Sequence, residues 1–240
     1  MSLLITDLPA HLTAKKLDGD DQVECFMCDK RLRLKNMRKH VGQHILFAFR
    51  GMSDKLPLKP GMHVGVIPCG WCGREGQCQV QLVGKEKSYS VISSCPYHYS
   101  KMSYTRALQP NKSSPCTNVP IHCPICPHSL SGQPRTIWKY NAMNHFITEH
   151  KPASDSKTLA EILPSFLVES FISSQEENWM GIPGNAIKEW RDEHEIPQAD
   201  TDGIEEIINT SEANKRERAE SVVSTQPPKK TPRILHEESS

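Results

Sequence analysis

Leu, Ile, Val and Phe together make up 51 of the 240 residues, about 21%, and aromatic residues only 6%. A supply that thin sits close to the level at which charged chains fail to collapse, so one large apolar core is excluded. No run of 18 apolar residues occurs, and the opening MSLLITDLPAHLTAKKL has no positive stretch followed by a long apolar core. The expectation is therefore a chain that neither spans a membrane nor carries an export signal. Motifs for nucleophilic or phosphate chemistry are missing too. There is no Gly-x-Ser-x-Gly, no Gly-rich phosphate loop and no His-Glu-x-x-His, which points away from an enzyme and from a small-molecule substrate.

Net charge is also nearly absent, at +1, but the balance hides a segregation. Residues 1–154 hold 20 basic and 10 acidic side chains, residues 155–212 hold 3 and 14, and residues 213–240 hold 6 and 4. A basic front half followed by an acidic stretch suits a polyanion-binding region tethered to a segment that competes for it or recruits a partner.

What the chain has in quantity is metal-ligating residues: 9 Cys and 11 His, with most Cys in pairs two residues apart. In a reducing compartment such pairs read as metal ligands and not as disulfides. The first set is Cys25, Cys28, His40 and His44. Two Cys on a tight turn supply thiolates, and two His at i and i+4 share one helical face, so four donors converge on Zn²⁺. The second is Cys69, Cys72, Cys95 and His98. Between its pairs, Cys78–Val83 and Ser88–Ser93 read as hairpin strands around a turn at 84–87, and Tyr97–Leu108 reads as a helix. Cys78 is the rival donor; alone on a strand, it reads instead as a small buried side chain. The third set is Cys123, Cys126, His145 and His150, with an aromatic-rich helix start over Ile137–His145 and with Cys116, His122 and His128 as nearby spare donors. Three closed four-ligand sites are structural, not catalytic, and imply three structural Zn²⁺ ions.

The first set, with Leu32 and Met37 between its ligand pairs, resembles the C2H2-type zinc finger proteins, with an eleven-residue middle spacer and Leu32 where an aromatic is usual. The third set is loosely similar to BED-type fingers, and the whole layout to fungal multi-finger proteins. The resemblance implies zinc binding and residence in the nucleus. With His40 as the seventh helical residue, it places Arg33, Lys35, Asn36 and Lys39 at the base-contacting positions −1, 2, 3 and 6 of a DNA-reading helix. DNA is then favoured over RNA as the partner.

The expected architecture is a small metal-stabilised α+β chain. It comprises a lead-in (1–20), a ββα C2H2 finger (21–50), a treble-clef or ribbon-like C2CH module (64–108) and an extended C2H2 finger (116–151). An acidic amphipathic helical segment (155–197) and a disordered tail (198–240) follow. Residues 20–151 are expected to form one compact cluster, onto which the apolar stretch Ile45–Phe49 packs. In the acidic segment, Thr158–Glu161 forms a capping box, and Leu159, Ile162, Leu163, Phe166, Leu167, Phe171 and Ile172 recur at helical spacing. A break at Trp179–Gly184 and a short helix over 185–195 follow. That stripe docks on the finger cluster or recruits a partner protein. In the tail, Lys215 and Arg216 followed by Lys229, Lys230 and Arg233 form a bipartite nuclear localisation signal for an acidic import receptor, next to phosphorylatable Ser221 and Thr231.

Overall fold

A computed structural model describes residues 22–52, 55–84, 88–130, 132–150, 166 and 169–193. The lead-in, the capping box and the basic tail with its localisation signal lie outside these residues. Within them the chain forms three two-stranded antiparallel sheets and short helices, a small α+β architecture. No described helix is long and apolar enough to cross a membrane.

Modules one and three are built alike. In the first, β1 (Gln22–Glu24) pairs with β2 (Arg31–Arg33), a 3₁₀ turn covers Leu34–Asn36, and α1 runs Met37–Phe49. In the third, β5 (Pro120–His122) pairs with β6 (Thr136–Trp138), a 3₁₀ turn covers Lys139–Asn141, and α3 runs Ala142–Glu149. In both, the residue two before the first Cys pairs across the hairpin with an aliphatic partner, Val23 with Leu32 and Ile121 with Ile137. In both, an Asn four residues before the first ligating His closes the 3₁₀ turn. The aromatic-rich start expected as helix over Ile137–His145 is therefore strand, then 3₁₀ turn, with α-helix only from Ala142. β-Branched and aromatic side chains at 136–138 favour the pleated surface.

Module two is a hairpin, β3 (Val80–Val83) with β4 (Ser90–Ser93), preceded by a Cys turn and followed by α2 (Tyr104–Ala107). The helix expected over Tyr97–Leu108 is thus confined to one turn. The strands are shorter than expected, and their register differs. Val80 faces Ser93, which by continuation sets Cys78 opposite Cys95, where the expected strand ends set it opposite Ser93.

Two helices of the acidic segment are described over their full length, and Phe166, Glu169 and Ser170 are helical as well. α4 (Ser174–Met180) starts at Ser173, whose hydroxyl accepts from Glu176 N at 3.1 Å, and stops at Gly181 in the left-handed region. α5 runs Gly184–Glu193. Phe171 and Ile172, expected on the helical stripe, are non-helical and half-buried.

The modules share two cores. One joins Val23, Met37, Val41, Ile45 and Leu46 of module one to Trp71 of module two, to Trp138 and Tyr140 of module three, and to Met180, Ile182 and Ile187. The other joins Ile121, Ile137 and Ala142 to Leu82 of β3, Tyr104 of α2 and Phe166. Close approach needs small residues. A Cβ on Gly70 would lie 2.3 Å from the Trp138 ring, and one on Gly42 would lie 2.9 Å from Cys116 Sγ.

Charged groups tie the elements together from inside. Arg38 of α1 donates from Nη1 to Cys116 O (2.9 Å) and Asn118 O (3.1 Å). Glu176 accepts from Thr117 N (2.7 Å), from Thr117 Oγ1 and from Tyr140 OH. Glu177, fully buried, sits between Arg50 at the end of α1 and Arg191 of α5 (3.0 Å). Gln43 Nε2 donates to Met180 O at 2.9 Å. The acidic helices α4 and α5 are therefore docked on the finger cluster, and the apolar 45–47 part of α1 is buried beneath them.

Candidate metal centres

Three groups of four donors converge, each with all ligand atoms within 4.8 Å of one another: Cys25, Cys28, His40 and His44; Cys69, Cys72, Cys78 and Cys95; Cys123, Cys126, His145 and His150. Tetrahedral zinc with Zn–S near 2.3 Å and Zn–N near 2.0 Å requires about 3.8 Å between sulfurs, about 3.5 Å between sulfur and nitrogen, and about 3.3 Å between nitrogens. The donors match these separations. Cys28 Sγ lies 3.2 Å from His40 Nε2 and Cys25 Sγ 3.9 Å from His44 Nε2. Cys72 and Cys78 sulfurs are 3.6 Å apart. In the third group Cys123 Sγ is 3.4 Å from His150 Nε2, Cys126 Sγ 3.3 Å from His145 Nε2, and the two imidazole nitrogens 3.2 Å apart. The residues present fit a tetrahedral metal ion.

Local structure explains the convergence. In modules one and two the first Cys opens the same turn. Cys25 N donates to Lys30 O and Asp29 N to Cys25 O, as Cys69 N does to Arg74 O and Gly73 N to Cys69 O, all at 2.7–2.9 Å. The fifth position of each turn is left-handed, with φ 59° at Asp29 and 77° at Gly73. Asp tolerates that conformation, and Gly is free of its strain. In addition, a Cβ on Gly73 would lie 2.8 Å from Met27.

Burial sets the ionisation of the donors. Burial, then the neighbouring Cys28, pushes the Cys25 thiol up to about 12. Burial, reinforced by Lys30, holds His40 down to about 4, and burial with His40 and Lys30 does the same for His44. The imidazoles are thus neutral and ready to coordinate near neutral pH, while the Cys25 thiol holds its proton until a cation displaces it. Burial and then Cys123 likewise push Cys126 up to about 11. In module two, burial and its three sulfur neighbours hold Cys95 far above the usual thiol range. Hydrogen bonds with Cys69, Cys78 and Cys95 hold Cys72 far below it, and Arg74 Nε donates to Cys72 Sγ at 3.3 Å.

Ligand orientation is reinforced in module three. His145 Nδ1 lies 3.4 Å from Glu149 Oε1, and Arg135 grips that carboxylate with both terminal nitrogens, Nη2 at 2.8 Å. A carboxylate behind a ligating imidazole fixes its ring orientation and tautomer.

One expected ligand is corrected. His98 stands outside the second group and Cys78 takes its place. The hairpin register brings Cys78 level with Cys95, while the His98 ring turns away to pack on Trp71, centroids 5.3 Å apart, and to hydrogen-bond the backbone of Val91. The second group is therefore an all-sulfur set. The turn read at 84–87 leaves Cys78 and Cys95 at unequal distances from its centre, and only the observed register makes them level. Of the spare donors, Cys116 is buried against Arg38, and His122 packs edge-on to Tyr89.

Around α1, Arg33, Lys35 and Asn36 are exposed and Lys39 is half-buried. The helical path begins at Leu34, with Arg33 as its extended N-cap. The equivalent positions of module three are Trp138, Tyr140, Asn141 and Asn144. Three of these are buried, and Asn141 Nδ2 donates to Pro68 O at 2.7 Å. The same surface is polar and free in one module, and inward and protein-bound in the other. No family model, curated protein or solved structure matches the chain.

Proposed function

We propose that the chain is a zinc-stabilised nuclear protein that binds duplex DNA through its first module and acts as a transcriptional or transposon-derived regulator. Zinc is the ion best suited to closed tetrahedral Cys/His and Cys₄ sets, and three structural ions account for the twelve donors. The three groups hold the fold and do no chemistry on a substrate. In this reading the chain is not an enzyme.

The observation that carries the DNA assignment is the contrast between modules one and three. Module one keeps Arg33, Lys35 and Asn36 exposed at the start of a helix whose remaining length is mostly buried. Arg suits guanine and Asn suits adenine through paired hydrogen bonds, while Lys reaches guanine or phosphate. Nuclear entry rests on the two basic clusters of the tail. The module-three surface, docked on protein, supports a second reading: a zinc-stabilised scaffold whose modules bind another protein.

The test is selection from random duplex DNA by the full zinc-loaded chain at low and physiological salt, with a chelated control. An enriched motif that disappears on chelation and is altered by Arg33→Ala or Asn36→Ala supports DNA reading. Absence of any enrichment moves the assignment to the protein scaffold.

A further inference from the structure

A second charge feature lies outside the metal groups and outside the helix start of module one. From Ser88 to Thr148 the chain contains five Lys or Arg and no Asp or Glu. Arg135 is paired with Glu149, and Lys139 is buried, so neither is free to meet a partner. Lys101, Arg106 and Lys112 are exposed, and none of them joins an ion pair among the described residues. They lie on and to either side of α2, which is anchored by Tyr104: its hydroxyl donates to Pro120 O at 3.0 Å and its ring meets Tyr89 edge-on. Glu169 bounds this surface on one side, where its charge is felt at Tyr104 and Lys139.

The chain limits how far Lys112 lies from α1. Asn111 Oδ1 accepts from Ser113 N (3.0 Å), Ser114 N (2.9 Å) and Ser113 Oγ (2.6 Å), so Lys112 is carried on a tight exposed turn. Four residues later Cys116 O receives Arg38 from the first turn of α1. Four residues of chain reach at most about 14 Å, comparable with the major groove width of about 12 Å. A helix start in the groove and Lys112 within that reach fit the spacing between base edges and the flanking phosphates, and Lys101 and Arg106 extend the same acid-free stretch of chain.

We propose that Lys101, Arg106 and Lys112 form a second contact surface, for the phosphodiester backbone of duplex DNA, beside the base-facing residues of α1. The proposal rests on the DNA-binding reading above. Exposed cations on and beside an anchored helical turn add affinity without sequence preference, and each neutralised phosphate releases counterions. One finger alone covers few base pairs. A phosphate-holding surface outside the finger raises the affinity of that single reading helix.

The test uses the full zinc-loaded chain and a random-sequence duplex probe, with affinity measured from about 50 to 200 mM salt. Each phosphate contact contributes about 0.9 to the slope of log affinity against log salt. Combined Lys101→Gln, Arg106→Gln and Lys112→Gln is expected to lower the slope by up to about 2.7. Equivalently, the loss of affinity across that salt range shrinks by about 3.5-fold per contact removed. Metal content stays unchanged, because all three side chains are exposed. Lys188→Gln on α5 serves as a charge-matched control and leaves the slope as it is. A triple variant with the parental slope overturns the second surface while the reading by α1 stands. A parent that binds no duplex overturns both, and tighter binding to single-stranded RNA with the same slope change overturns the assignment to DNA.

Discussion

Cys78 and His98 exchange the roles that their spacing suggests, and the exchange can be measured. Replacement of Cys78 removes one of four sulfurs from the second group, whereas replacement of His98 removes only a ring packed on Trp71 and a hydrogen bond to Val91. Cys78→Ser is expected to lower bound metal from three ions per chain to two, or to leave the second ion removable by a weak chelator. His98→Ala is expected to retain three ions and to cost about 1 kcal/mol of stability. Elemental analysis of purified protein, paired with chemical denaturation, reads both outcomes; loss of an ion in His98→Ala with full occupancy in Cys78→Ser would reverse the assignment. The first and third groups were legible because each of their ligand pairs is local. A Cys-x2-Cys gap makes a turn, His40 and His44 at i and i+4 share one helical face, and His150, five residues after His145, comes back to the site just past the end of α3. The second group depends on a hairpin register, which no spacing of adjacent Cys encodes.

At the scale of elements, the acidic segment shows what composition hides. The helix of module one ends in an apolar run, and α4 and α5 cover it through a buried charge cluster, with Glu177 bonded to Arg50 and Arg191 and with Arg50 lying 3.5 Å over the Trp190 ring. Removing one member of such a cluster strands the others in a dry site. Glu177→Ala is expected to cost about 3–5 kcal/mol, as two guanidinium groups lose their counter-charge. Ser173→Ala, which removes only the α4 N-cap, is expected to cost about 1 kcal/mol. Denaturant titration of the metal-loaded protein compares the two; equal effects would mean that the cluster carries no more than a surface ion pair. The helix at 184–193 was legible from the turn at Trp179–Gly184, whereas the one at 174–180 begins after the apolar stripe ends at Ile172 and carries little periodicity of its own. The burial of neither was legible, because a Glu that closes an internal ion cluster and a Glu on a solvated face look the same in sequence. The same holds for Arg38, whose place in the sequence gives no sign that it is committed to Cys116 O and Asn118 O.

For the molecule as a whole, shared cores replace the independence usual of fingers strung on linkers. Trp71 of module two meets Trp138 of module three edge-on, with ring centroids 5.6 Å apart, and both belong to the core that also contains α1. Metal bound at any one site would therefore support the others. Structural zinc supplies about 10–16 kcal/mol of apparent binding energy per site, large against the 5–15 kcal/mol net stability of an ordinary domain. Stepwise chelation followed by tryptophan fluorescence is expected to give one cooperative loss of structure across all three modules. Three separable steps would show that the modules fold alone. Gly70→Ala probes the same coupling without touching a ligand, since the added Cβ would collide with a rigid buried ring. Overpacking of this kind costs about 1–3 kcal/mol, and here it falls on the junction between modules two and three. The expected result is full metal content in the folded protein with release of all three ions at a lower chelator concentration. Early release of the second ion alone would confine the damage to its own turn and argue against a common core.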